Sequence, residues 1–135
     1  MLVFREPTPD DYHLVADSFW RAARECPTAF GVGREFLVKM LAEIIIKPDW
    51  KCEILCDDNA QDEILCWAVW KSPVQVFWIS AKPRYQGLRF GRKMIEHIGI
   101  QSGDTVSCPI LPPWLLSYAG KNGIKLVQRP YMALI

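Results

Sequence analysis

Apolar positions change spacing several times along the chain, and each change marks an element. Residues 2–6, LVFRE, read as a short opening strand. Thr8-Pro9-Asp10-Asp11 then reads as a helix start, with Thr8 as N-cap, Pro9 at the first helical position and Asp11 at the capping-box position. Tyr12, Val15, Ala16, Phe19, Trp20 and Ala23 follow at helical spacing and define one apolar face. Pro27 and Gly31-Val32-Gly33 interrupt that period. A second helical stripe runs through Phe36, Leu37, Met40, Leu41, Ile44 and Ile45, and Lys47-Pro48 ends it.

The period then drops to two. From Trp50 to Cys56, Trp50, Cys52, Ile54 and Cys56 share one face of a strand, while Lys51 and Glu53 take the other. The polar run 57–62 is a hairpin loop. Glu63 to Trp70 and Val74 to Ala81 are nearly continuous apolar strands separated by a turn at Lys71-Ser72-Pro73, and such runs suit strands covered on both faces. Short loops make these three strands an antiparallel meander. Residues 82–91, KPRYQGLRFG, form a basic turn that opens a third helix, with Phe90, Met94, Ile95 and Ile98 inside and Arg92, Lys93, Glu96 and His97 outside. A fifth strand covers 104–108, a fourth helix covers 114–121 and stops at Asn122-Gly123, and 124–135 supply one or two closing strands. The helix-length crossover at 87–101 makes the fifth strand parallel to the fourth. The order β-α-α-β-β-β-α-β-α-β describes an α/β domain with a mixed central sheet and helices on both faces.

Composition narrows the function classes. A chain of 135 residues with 50% hydrophobic and 23% charged residues is read as one soluble domain, 1–135, without a linker or repeat. Lys+Arg 16 against Asp+Glu 15 leaves a net charge of +1, which argues against a phosphate-neutralising nucleic-acid binder. No apolar run approaches the ~20 residues of a membrane span, and the opening MLVFREPTPDD meets acid too early for a signal peptide. A cytoplasmic or virion setting without disulfides is expected. Cys26, Cys52, Cys56, Cys66 and Cys108 form no C-x-x-C pair and are expected as small buried hydrophobes. His97 is expected in solvent, Asp57, Asp58 and Asp62 in a solvated loop, and the six tryptophans in the core or in cleft walls.

The segment 78–95, WISAKPRYQGLRFGRKMI, concentrates the chemistry. A strand enters a glycine-bearing turn, and that turn opens a helix with basic first residues. Free main-chain N–H groups and the positive dipole end suit an anion such as a diphosphate. Two lone glycines, Gly87 and Gly91, fit neither a Walker loop nor the dinucleotide fingerprint.

Here the chain resembles the GNAT superfamily of acetyl-coenzyme A-dependent N-acetyltransferases, whose diphosphate motif is Q/R-x-x-G-x-G/A after a Pro-x-Tyr-Arg-Gly lead-in. Pro83-Arg84-Tyr85-Gln86-Gly87 matches the lead-in, and Gln86-Gly87-Leu88-Arg89-Phe90-Gly91 matches the motif at its first and last positions. The element order resembles the family's along essentially the whole chain. Small acetyltransferase-like proteins of tailed bacteriophages look similar too, with a tryptophan-bearing first helix like Ser18-Phe19-Trp20. The resemblance implies acetyl-coenzyme A as acyl donor, lying where the fourth and fifth strands splay apart. Main-chain groups of Ile79 and Ala81 would pair with the pantetheine arm. Gln86, Gly87, Leu88, Arg89, Phe90, Gly91 and Arg92 would hold the diphosphate, and Gly91→Glu would remove binding while leaving the fold intact.

The departures are specific. Arg89 stands at the family's central glycine, and the strand VQVFWISA lacks the glutamate that often takes the amine's proton. The family's general-acid tyrosine lies four residues before a Gly-Phe pair; here Gly123-Ile124 fills the pair, Ala119 fills that position, and Tyr118 is one residue early. One residue rotates a helical side chain by ~100°, which a kink at Gly120 would offset. Tyr118 is the candidate acid. The resemblance implies transfer of an acetyl group to a primary amine on a small molecule or protein. The alternative is a catalytically inactive member of the fold that acts as a binding or virion structural component, with a phage or protein partner.

Overall fold

A computed structural model describes residues 1–26, 33–81 and 90–129. The elements are β1 (Leu2–Arg5), a 3-10 turn (Pro9–Asp11), α1 (Tyr12–Ala23), α2 (Arg34–Ile45), β2 (Lys51–Asp57), β3 (Cys66–Ser72), β4 (Gln75–Ala81), α3 (Phe90–Ile98), β5 (Thr105–Cys108), α4 (Pro113–Asn122) and β6 (Lys125–Gln128). They form a six-stranded sheet in the order β1-β2-β3-β4-β5-β6. The strands are antiparallel from β1 to β4. They are parallel from β4 through β5 to β6, across α3 and α4. This is the mixed sheet that the loop lengths require.

Side-chain alternation on the sheet feeds two cores. On one face, Ile54, Cys56, Trp67, Val69, Phe77 and Trp78 meet Val15, Phe19 and Ala23 of α1 and Leu37, Leu41 and Ile44 of α2. On the other face, Leu55, Cys66, Ala68, Trp70, Val76 and Ile79 meet Met94, Ile95 and Ile98 of α3 and Leu115 of α4. Cys66 to Trp70 are all buried and strictly alternate between the two layers, as a central strand demands.

Some boundaries differ from the sequence reading. The third strand starts at Cys66 rather than Glu63, because its pairing with β2 runs out at Leu55↔Cys66 and Asp57 instead bridges back to Ala60. Lys71 and Ser72 remain in β3, so the turn moves to Pro73-Val74. The first helix opens with a 3-10 turn: the Asp11 carboxylate accepts from the Thr8 main-chain N–H at 2.7 Å and from the Thr8 hydroxyl at 3.0 Å. Of the closing strands, Lys125–Gln128 is present; residues 130–135 lie outside the described residues.

Candidate active site

The sheet splits between β4 and β5. Their ladder consists of the pair Gln75↔Ser107, closed by the Ser107 N–H donating to the Val74 carbonyl at 2.8 Å. Two sequence features end it. Pro109, directly after β5, has no N–H with which to continue. The chain there is also drawn toward β6: the Arg129 N–H donates to the Cys108 carbonyl at 2.9 Å, and Gln128 Nε2 donates to the Pro109 carbonyl at 3.1 Å. Among the described strands, none flanks β4 on that side beyond its first residues.

A bulge re-aims β4 at the same level. Trp70 pairs with Val76 and Val69 with Trp78, so Phe77 is an extra residue. Successive strand residues normally face opposite sides, yet Phe77 and Trp78 both enter the α1/α2 layer. Nothing in VQVFWISA announces this. The bulge returns the strand to phase, so Ile79 faces α3 and Ser80 faces α1.

The sequence-derived site residues distribute as follows. Ile79 and Ala81 lie on the open half of β4, where they pair with Ala68 and Cys66 of β3. The Ile79 side chain is buried and lines an apolar void of about 10 Å³ with Val76, Ile95, Val106 and Leu115. That volume is at the lower limit for one water, and the lining offers no polar partner. Gln86, Gly87, Leu88 and Arg89 lie outside the described residues. Phe90, Gly91 and Arg92 form the first turn of α3. Arg92 reaches along the exposed helix surface to Glu96, Nε to Oε1 3.0 Å.

Gly91 has a packing role that the motif reading did not anticipate. A Cβ there would stand 2.8 Å from Cζ3 and 2.9 Å from Cη2 of Trp114 on α4. Gly91→Glu therefore disturbs packing as well as any anion site, since a side chain there forces the Trp114 indole to shift. The glycine is required where α3 and α4 approach each other beside the split.

Tyr118 is half-buried against the α3/α4 core, and its carbonyl accepts from Asn122 Nδ2 at 2.8 Å. α4 runs unbroken from Pro113 to Asn122, through Gly120. Ala119, 3% exposed, occupies the core-facing position, and Tyr118 stays one residue ahead of it. The helix stops at Gly123, whose φ of +68° is the left-handed conformation that favours glycine.

His97 lies on the exposed face of α3, as expected, but it is not free there. Its ring stacks on Phe4 with centroids 3.8 Å apart and planes 7° apart, and meets the edge of Trp70 at 6.0 Å. Nε2 lies 2.5 Å from Glu53 Oε2 on β2. The residue pins the end of α3 over β1, β2 and β3, away from the split.

Titration also separates structural from reactive groups. Burial pushes the Cys52, Cys66 and Cys108 thiols up to about 12 and Cys26 to about 11, which keeps them protonated and poor nucleophiles. Among the described residues, no group of three or more His, Cys, Asp and Glu side chains could hold a metal, and no helix is long and apolar enough to cross a membrane. Around the split the polar side chains are instead donors and hydroxyls. Trp67 Nε1 donates to Ser18 Oγ at 3.2 Å, and Ser18 Oγ lies 3.5 Å from Ser80 Oγ. The Cys66 thiol donates to the Ser80 carbonyl at 2.7 Å.

No family model matches the sequence, and no curated protein matches it. Solved structures do match the fold. An acetyltransferase from Thermus thermophilus aligns with a TM-score of 0.52 at 18% identity, over 72% of this chain and 66% of that one. A protein assigned to the GNAT acetyltransferase family from Desulfovibrio desulfuricans aligns with a TM-score of 0.51 at 16% identity, over 73% of this chain and 64% of that one. The alignments thus span just under two-thirds of each neighbour's length. At these identities the likeness concerns architecture: the chain has the six-stranded mixed α/β fold of GNAT acetyltransferases, in a divergent sequence.

Proposed function

We propose that the protein is an acetyl-coenzyme A-dependent N-acetyltransferase acting on a primary amine. The observation that carries this reading is the split between β4 and β5, which starts directly after Gln75↔Ser107 and, among the described strands, leaves the outer main-chain edge of β4 without a neighbour. An extended amide-bearing chain such as pantetheine can add to such an edge as a further strand would. Ile79 and Ala81 supply main-chain groups on that half of β4. The segment Gln86 to Arg92 leads into the start of α3, where the positive end of the helix dipole would favour a diphosphate.

Chemically, the reaction needs a neutral amine held against the thioester carbon, a donor for the developing oxyanion and a proton for the departing thiolate. Attack of the amine nitrogen on the carbonyl carbon would form the C–N bond as the C–S bond breaks, and the departing thiolate would take up a proton, for which Tyr118 is the candidate donor. β4 carries no carboxylate, so the amine's proton leaves through water.

Calorimetric titration with acetyl-coenzyme A tests the reading. Saturable one-to-one binding is expected, and Arg89→Ala should weaken it roughly tenfold to a hundredfold through loss of a charge-assisted contact. No binding by the parent protein would remove the proposal. Stronger binding by Arg89→Gly would mean that the arginine blocks the diphosphate path.

A further inference from the structure

The open half of β4 carries more hydrogen-bond donors than the protein supplies acceptors for. Trp78, 2% exposed, has an indole Nε1 with no hydrogen-bond partner. Two residues on and facing the same layer, Ser80 is 5% exposed and contacts Ser18 of α1. An indole can only donate, so Ser18 Oγ accepts from Trp67 Nε1 at 3.2 Å. The serine–serine contact uses one hydroxyl hydrogen, in whichever direction it runs. Four donor hydrogens from Trp67, Ser18, Ser80 and Trp78 thus meet two accepting contacts. One hydroxyl hydrogen and the Trp78 N–H remain over. A buried donor without an acceptor is costly. Trp78 belongs to the α1/α2 layer, Ser80 contacts Ser18 of α1, and both Trp78 and Ser80 follow Gln75, the β4 residue that pairs with β5.

We propose that Trp78 Nε1 and the Ser18/Ser80 hydroxyl pair form a subsite that receives a carbonyl oxygen of a bound reactant. The subsite would supply N–H and O–H donors from the α1 side of β4, and β4 has no carboxylate there to attract a cation. A carbonyl can come from either reactant: the thioester of the acyl donor, or an amide adjacent to the accepting amine. The inference rests on the acetyltransferase reading.

Two pairs of probes, each differing by one carbonyl-bearing group, test it on the full chain and on Trp78→Phe and Ser80→Ala. The first pair is acetyl-coenzyme A against coenzyme A, by calorimetry. The second is phenylalaninamide against phenethylamine, by thiol release in the presence of acetyl-coenzyme A. Loss of the donor should weaken the carbonyl-bearing member of one pair roughly three- to tenfold, while its carbonyl-free counterpart changes by less than about twofold. An effect in the first pair assigns the subsite to the thioester; an effect in the second, as a rise in KM, assigns it to the acceptor. Equal effects within both pairs, or none, overturn the subsite while coenzyme binding stands. Failure of the parent to bind either coenzyme removes the acetyltransferase reading and the subsite together. Two variants of different size, each checked for a cooperative melt, separate donor loss from unfolding.

Discussion

Asp11 is the most strongly polarised carboxylate among the described residues. The Arg5 guanidinium donates to it at 2.7 and 3.2 Å, and the same arginine reaches the Gln61 carbonyl at 2.6 Å. The Arg5 hydrogen bonds, followed by those from Thr8, hold the Asp11 carboxyl down at about 2 against an ordinary 3.8. A lowered folded-state value stabilises the fold above the unfolded value, and the gain disappears as pH falls toward about 2. The contribution is about 2 kcal/mol. Between pH 4.5 and 2, urea midpoints of the parent should therefore fall more steeply than those of Asp11→Asn, which lacks the gain throughout; parallel slopes would show that the ion pair is not the cause. Gly91 gives a second residue-level prediction. Gly91→Ala puts a methyl against Trp114 and should cost about 1–3 kcal/mol in equilibrium unfolding. Replacing Trp114 by a smaller residue in the same chain should reduce that increment, since the two positions share one contact.

At the scale of elements, α3 is held at both ends by different physics. Its first turn lies under Trp114, and its last turn is fixed by His97 on Phe4 and Glu53. A double-mutant cycle between Glu53→Gln and His97→Ala should give a coupling of about 0.5–1 kcal/mol, because a quarter to a third of each side chain still meets solvent. Zero coupling would leave the stacking on Phe4 as the anchor. The element order was legible in the sequence, because each change from helical to two-residue spacing falls at a turn-forming residue such as Pro48 or Gly123. Helical periodicity puts His97 on the exposed face, where it is; its contacts with Phe4 of β1 and Glu53 of β2 were not legible, because they depend on how α3 crosses the sheet. The bulge at Phe77 was equally hidden, since an apolar run carries no alternation whose slip could reveal it. Ser18 and Ser80 are ordinary serines in sequence, and only the packing of α1 on β4 brings them together.

The whole molecule is an antiparallel half, β1 to β4, joined to a parallel half, β5 and β6, by a single ladder pair. Strand directions follow from connection lengths, whereas the place of the split, at the fourth and fifth strands, was expected from the family resemblance. Its depth was not, because it depends on Pro109 and on the pull of β6 on the residues around it. The central claim, that acetyl-coenzyme A lies in this split with its diphosphate at the start of α3, is tested most directly by amide shifts on titration of the isotopically labelled chain. The account predicts saturable shifts at Ile79, Ala81 and Gly87 to Arg92, with the amides of β1 and the outer strand β6 unmoved. Shifts confined to β1, β2 or the exposed face of α2, or none at saturating coenzyme, would contradict it.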